Sequence, residues 1–117
     1  MREIKKYEVF KLAHKLVLDV YRLTSEFPKH EMFGLVTQMR RAAYSIPMNL
    51  AEGAARDSER EFAQSVNIAI GSCEEVRYQL LLSKDLTYIS KDEYSSIDKE
   101  YESVKRMLAT LYKKLRS

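Results

Sequence analysis

The sequence predicts an all-α protein, an up-down-up-down four-helix bundle with left-handed packing and a second helix kinked at Pro47. Three observations lead there. The 117 residues hold only three glycines and two prolines, little material for the many turns of a sheet protein. Apolar positions recur at steps of three and four over long stretches, the seam of left-handed helix packing. Two serines, Ser58 and Ser90, each stand three residues ahead of a glutamate, Glu61 and Glu93, the spacing of a helix-starting capping box. Hydrophobic residues make up 45% and charged residues 32%, which suits one folded domain over residues 1–117 with a single core and no disulfide or metal. No Pro-rich, Gly/Ser-rich or repeated segment divides it.

The first helix is expected from Ile4 to Glu26, ending before Phe27 because a residue preceding proline is pushed out of the helical region. Val9, Leu12, Ala13, Leu16, Val20 and Leu23 form its inner stripe. Tyr7, Phe10, Val17 and Tyr21 lie on another side. A helix buried between two neighbours, with tyrosines reaching toward water, is one account of them. The reading adopted is a contact surface for another copy of the chain, since a small bundle has few places to hide a second apolar face.

The connection Pro28-Lys29-His30-Glu31 leads to a second helix from Met32 to Gly53, with Gly53 as a left-handed stop. Pro47 lies inside it, removing one donor and colliding with the carbonyl of Ala43. Leu35, Met39, Ala42 or Ala43, Ile46 and Leu50 mark its buried face. Arg41, Ser45, Asn49 and Glu52 form a second, polar stripe. A structural role is favoured: Arg41 or Arg40 pairs with Glu52, Ser45 or Asn49 takes the carbonyl that Pro47 leaves free, and the stripe fixes register between helices or subunits. The functional alternative is a phosphate or nucleotide edge held by the same groups.

The third helix starts at Ser58 and frays near Lys84 and Asp85, with Phe62, Val66, Ala69, Cys73, Val76 and Leu80 as its seam. The fourth runs from Lys91 almost to the end on Tyr94, Ile97, Tyr101, Val104, Leu108, Leu111 and Leu115.

The run from Gly34 through Met39, Arg40, Arg41, Ala42 and Ala43, continuing Ser45-Ile46-Pro47 and Asn49-Leu50-Ala51-Glu52-Gly53, resembles the signature of four-helix bundle proteins encoded in intervening sequences of bacterial 23S rRNA genes. The similarity extends from Tyr7-Glu8-Val9-Phe10 to the last helix. That family has no established enzymatic activity. It is related to the accessory protein of diversity-generating retroelements, a basic five-subunit ring that works with a reverse transcriptase and RNA. The resemblance thus implies self-association, expected as a pentamer, and RNA or a reverse transcriptase as partner.

Charge is the one lead to function in the residues themselves. The formal net charge is +3, but its placement is uneven. Residues 1–16 carry five cations against two acids, and residues 105–117 carry five cations and no acid. In an up-down bundle these two segments share a pole. Cations closing a last helix suit its dipole, whereas cations at the start of the first helix do not. Lys5, Lys6, Lys11, Lys105, Arg106, Lys113, Lys114 and Arg116 are therefore the nucleic-acid-binding candidates, with Tyr7 and Phe10 available to stack on unpaired bases. Arg22, Arg40 and Arg77 are further candidates of unknown placement.

Catalytic chemistry finds little support. His14 and His30 have no histidine or cysteine at ligand spacing, so no metal site is expected. Cys73 lies on an apolar seam and reads as an inert buried thiol. Glu74-Glu75 and Asp92-Glu93 are adjacent rather than facing pairs, and isolated Gly34 and Gly53 make no phosphate-cradling loop. No cofactor and no enzyme is expected. No apolar run reaches the roughly 18 to 20 residues of a membrane span, and the start of the chain lacks a signal-peptide apolar region. With its lone cysteine, the chain reads as cytoplasmic. The function expected is a homo-oligomeric bundle, a ring, whose basic pole binds RNA or an RNA-bound enzyme; the alternative is an assembly scaffold that binds protein alone.

Overall fold

Four long helices form the bundle in the computed structural model, which describes residues 2–117. They are α1 (Glu8–Thr24), α2 (Thr37–Ala54), α3 (Glu59–Asp85) and α4 (Lys91–Arg116), with no strand among the described residues. Short connections make neighbours antiparallel, and α1–α2, α2–α3, α3–α4 and α1–α4 all pack together. The result is an up-down-up-down bundle 43 Å long and 24 by 20 Å across.

The predicted seams form the core. Phe62, Val66, Ala69, Cys73, Val76 and Leu80 of α3 all have zero exposure, as do Met39, Ile46 and Leu50 of α2 and Tyr101, Val104 and Leu108 of α4. From α1, Val9, Ala13, Leu16 and Val20 join them, while Leu12 and Leu23 are half-buried at the margin. Val17, expected on an outward face, belongs to this core as well. It stands one residue from Leu16 and three from Val20, so the buried arc of α1 is wide enough to take it in.

The first helix begins later than its sequence suggests. Ile4–Lys6 is a separate 3₁₀ turn, and Tyr7 is extended (φ −70°, ψ 132°) as the residue before α1. This break lets both Ile4 and Tyr7 pack on the core. The helix ends at Thr24, whose hydroxyl donates 2.7 Å back to the Val20 carbonyl, and the Phe27 amide closes a turn onto Thr24 at 3.1 Å.

The second helix opens with a π-helical turn over Met32–Val36, where Gly34 leaves helical geometry (φ −117°, ψ −106°) and Phe33 stands 96% exposed. The α-helix then continues through Pro47 to Ala54. Gly53 is not the left-handed stop expected of it. No glycine among the described residues has a positive φ, and Gly53 is buried inside the last turn. Its value is closeness: a Cβ there would fall 2.5 Å from the Cβ of Ser65 and 3.0 Å from the Phe62 ring. The missing side chain therefore sets how near α2 lies to α3.

Both capping serines act as predicted at their amides. Ser58 Oγ accepts from the Glu61 amide at 3.1 Å, and Ser90 Oγ from the Glu93 amide at 3.0 Å, with Glu93 also accepting from the Ser90 amide at 2.8 Å. At the end of α3, Thr87 takes the left-handed conformation (φ 65°), with its amide bonded to Lys84 and that of Tyr88 to Ser83, a Schellman closure. Tyr88 then donates 2.7 Å to Glu31 and packs 5.1 Å from Phe27. That hydrogen bond to a carboxylate raises the Tyr88 phenol above its ordinary range.

Candidate nucleic-acid interface

The two basic segments do meet. Tyr7, Glu8 and Val9 at the start of α1 line one shallow depression with Arg106, Met107, Leu111 and Lys114 of α4. Arg60 at the start of α3 faces Tyr112 and Arg116 across a second. The α2–α3 turn is drawn in by Arg2, which donates 3.2 Å to the Ala54 carbonyl and 2.7 Å to that of Arg56 while lying 4.9 Å over the Phe62 ring. A guanidinium there caps the carbonyl end of α2 and opposes its dipole. Nothing in the local sequence singles out Arg2, because its partners are more than fifty residues away.

The expected cations divide into two sets. Lys6 pairs with Glu3 and Lys11 with Glu8, each at 3.2 Å, Arg106 lies 3.7 Å from Glu102, and Lys105 lies 3.2 Å from Glu74. Lys5, Lys113 and Lys114 have no ion-pair partner among the described residues. Arg116 lies 5.5 Å over the Tyr112 ring and donates 3.2 Å to its hydroxyl. Exposed pairs of this kind are weak and screened by salt, so the paired set is held loosely. The unpaired set has no carboxylate within ion-pair distance among the described residues.

Of the aromatic groups expected beside them, Tyr7 meets Phe62 edge-on at 6.4 Å and is partly buried. Phe10 is half-buried and stacks parallel to His14 at 6.5 Å. Tyr21 is covered on one face by Arg40 at 4.5 Å. The three further arginines are engaged elsewhere: Arg40 with the Thr24 hydroxyl at 2.9 Å, Arg22 with Asp19, and Arg77 with Asp98 at 2.9 Å. The Asp98 hydrogen bond holds the Arg77 guanidinium above its already high pKa. Lys15, bound to Glu100 at 2.8 Å, is raised by the same means and ties α1 to α4.

The polar stripe of α2 is split. Ser45 shares a hydroxyl hydrogen bond of 2.9 Å with Ser72 of α3, and Asn49 donates to the Ser45 carbonyl at 2.8 Å. The Ser45–Ser72 bond registers α2 against α3, while Asn49 bonds within its own helix and serves the carbonyl of Ser45, not that of Ala43. Arg41 and Glu52 do not pair: both are exposed, 11 residues apart on the same helix, a separation of roughly 16 Å. Arg40, the alternative partner, is committed to α1.

The family model of the 23S rRNA-intervening sequence protein matches residues 5–110. The chain belongs to this family. The match covers the signature on α2, residues 5–16 of the first basic segment and residues 105–110 of the second, and leaves out Arg2, Lys113, Lys114 and Arg116. Among solved structures, the chain is similar to a protein of unknown function from the S23 ribosomal protein family of Bacteroides thetaiotaomicron. The two are 24% identical, the overlap takes in 90% of this chain and 95% of that one, and the TM-score is 0.83. At that identity the likeness speaks for the fold. No curated protein matches the chain.

Residues with chemical potential elsewhere are enclosed or isolated. Cys73 has zero exposure, donates 3.4 Å to the Tyr101 carbonyl, and is pushed up to about 12 by burial, so its thiolate is suppressed at neutral pH. Among the described residues, no group of three or more His, Cys, Asp or Glu is placed to hold a metal. No helix among them is long and apolar enough to cross a membrane.

Proposed function

We propose that the protein is a non-enzymatic homo-oligomer, a ring expected to hold five copies, that presents its basic pole to RNA or to an RNA-bound enzyme such as a reverse transcriptase. The observation behind this reading is that the start of α1 meets Arg106 and Lys114 of α4 at one end of the bundle, in the segments where Lys5, Lys113 and Lys114 have no ion-pair partner among the described residues. Helix 1 starts there with Glu8 in its first turn, so dipole compensation explains the closing cations of α4 but not Lys5. The family resemblance supplies the ring and the RNA context. Copies standing side by side around an axis parallel to their helices would place all their basic poles on one face, multiplying a patch that is modest in a single chain.

A protein-only scaffold is the second reading, favoured by the ion pairs that already occupy Lys6, Lys11, Lys105 and Arg106. Mixed single-stranded RNA titrated against salt separates the two. If each copy neutralises about three phosphates, log affinity falls against log salt with a slope near −2. The Lys5→Gln, Lys113→Gln, Lys114→Gln variant should lose most of that slope at unchanged oligomer mass. Lys29→Gln with Lys91→Gln at the opposite pole should change neither. Absence of RNA binding at low salt would leave the scaffold.

A further inference from the structure

Of the α1 residues expected at a contact between copies, Val17 lies in the core, Tyr7 and Phe10 are half-buried, and Tyr21 is 40% exposed with Arg40 over one face. A different face carries a feature that packing within the chain does not explain. Gly71 lies in the middle of α3, exposed, and a Cβ there would meet nothing within 4 Å. A glycine inside a helix weakens it, and unlike Gly53 this one gains no packing in return within the chain. It stands on one stripe with Ile68, Glu75 and Tyr78, at steps of three, four and three, and Ile68 and Tyr78 are 57% and 63% exposed. Large apolar groups flanking a bare patch of helix backbone are the makings of a close helix contact.

We infer that this α3 stripe receives the outer face of α2 from a second copy, with Arg41 set against Glu75 and Met48 set against Ile68 across Gly71. The inference rests on the ring reading above. Within one chain, the Ser45–Ser72 bond of 2.9 Å and the approach of Gly53 to Ser65 fix the heights of α2 and α3 along the bundle. Counting along the antiparallel helices from that bond, Arg41 is level with Glu75 and Met48 with Ile68, each to within one residue, or about 1.5 Å. Rotation about an axis parallel to the helices preserves height, so the neighbour's α2 brings a cation to the level of an anion and an apolar group to an apolar group. Arg41 has no ion-pair partner among the described residues, Glu75 accepts only a 3.5 Å contact from Gln79, and Met48 is 50% exposed. Charge complementarity at matched height is what a second copy of this chain would offer this face.

Light scattering of the full chain and four variants tests the inference. The Gly71→Lys variant has room in the isolated bundle, so its helix content and melting temperature should hold or rise while its mass falls to that of a monomer, about fivefold for a five-membered ring. Arg41→Glu and Glu75→Arg should each disperse the assembly, and the two together should restore it. A wild-type assembly unmoved by all these variants overturns the inference and leaves the ring reading intact. A wild-type chain that stays monomeric overturns both and gives the face to some other occupant.

Discussion

The two ends of the bundle are built on different plans. At the end where α1 runs into α2, polar groups are closed on one another: Ser90 and Glu93 exchange hydrogen bonds, Thr87 turns α3 off in a left-handed closure, and Tyr88 bonds Glu31 beside Phe27. At the other end one guanidinium, Arg2, ties the chain's start to the α2–α3 turn, the helices approach through a glycine, and lysines stand without partners. A fold needs its helix termini satisfied, and the first end does this largely with its own side chains. The second holds its shape by close backbone approach and leaves cations over. Charge that stability does not use is what a binding surface is made from.

That contrast can be broken from either side. The largest effect is expected at Gly53. Gly53→Ala would drive a methyl into Ser65 and Phe62 and should cost about 3 kcal/mol in urea unfolding. Ser65→Gly in the same chain should recover part of the loss by removing the nearest obstructing atom. At the closed end, Ser90→Ala removes the capping box of α4 and should cost about 1 kcal/mol with no change in RNA binding. Thr87→Gly should act in the opposite direction, raising stability by somewhat less than 1 kcal/mol, because glycine takes the left-handed conformation without a Cβ penalty. A loss of stability on Thr87→Gly would mean that the closed end relies on the threonine side chain rather than on the backbone closure.

Much of this architecture was legible along the chain. Ser58, Ser90 and the seams of α3 and α4 could be read because capping and helical packing depend on residues three or four apart. The start of α1 could not, since Tyr7 breaks the helix to reach Phe62, a residue 55 positions later. Gly53 misled for a related reason: glycine near a helix end usually serves a left-handed turn, and only the neighbouring α3 backbone reveals that its small size is what counts. Among the cations, sequence placed the two basic segments at one end of the bundle but could not separate Lys105, held by Glu74 of α3, from Lys113 and Lys114, which have no ion-pair partner among the described residues.

The sequence by itself determined four amphipathic helices, their order, most of their ends and the uneven spread of charge, all of which follow from period and nearest-neighbour chemistry. Tertiary structure alone decided which charges were neutralised, which glycine was packed and which was left bare, and how α2 stands in height against α3. Those outcomes depend on groups far apart in the chain meeting within a few ångströms, and no local pattern encodes such a meeting.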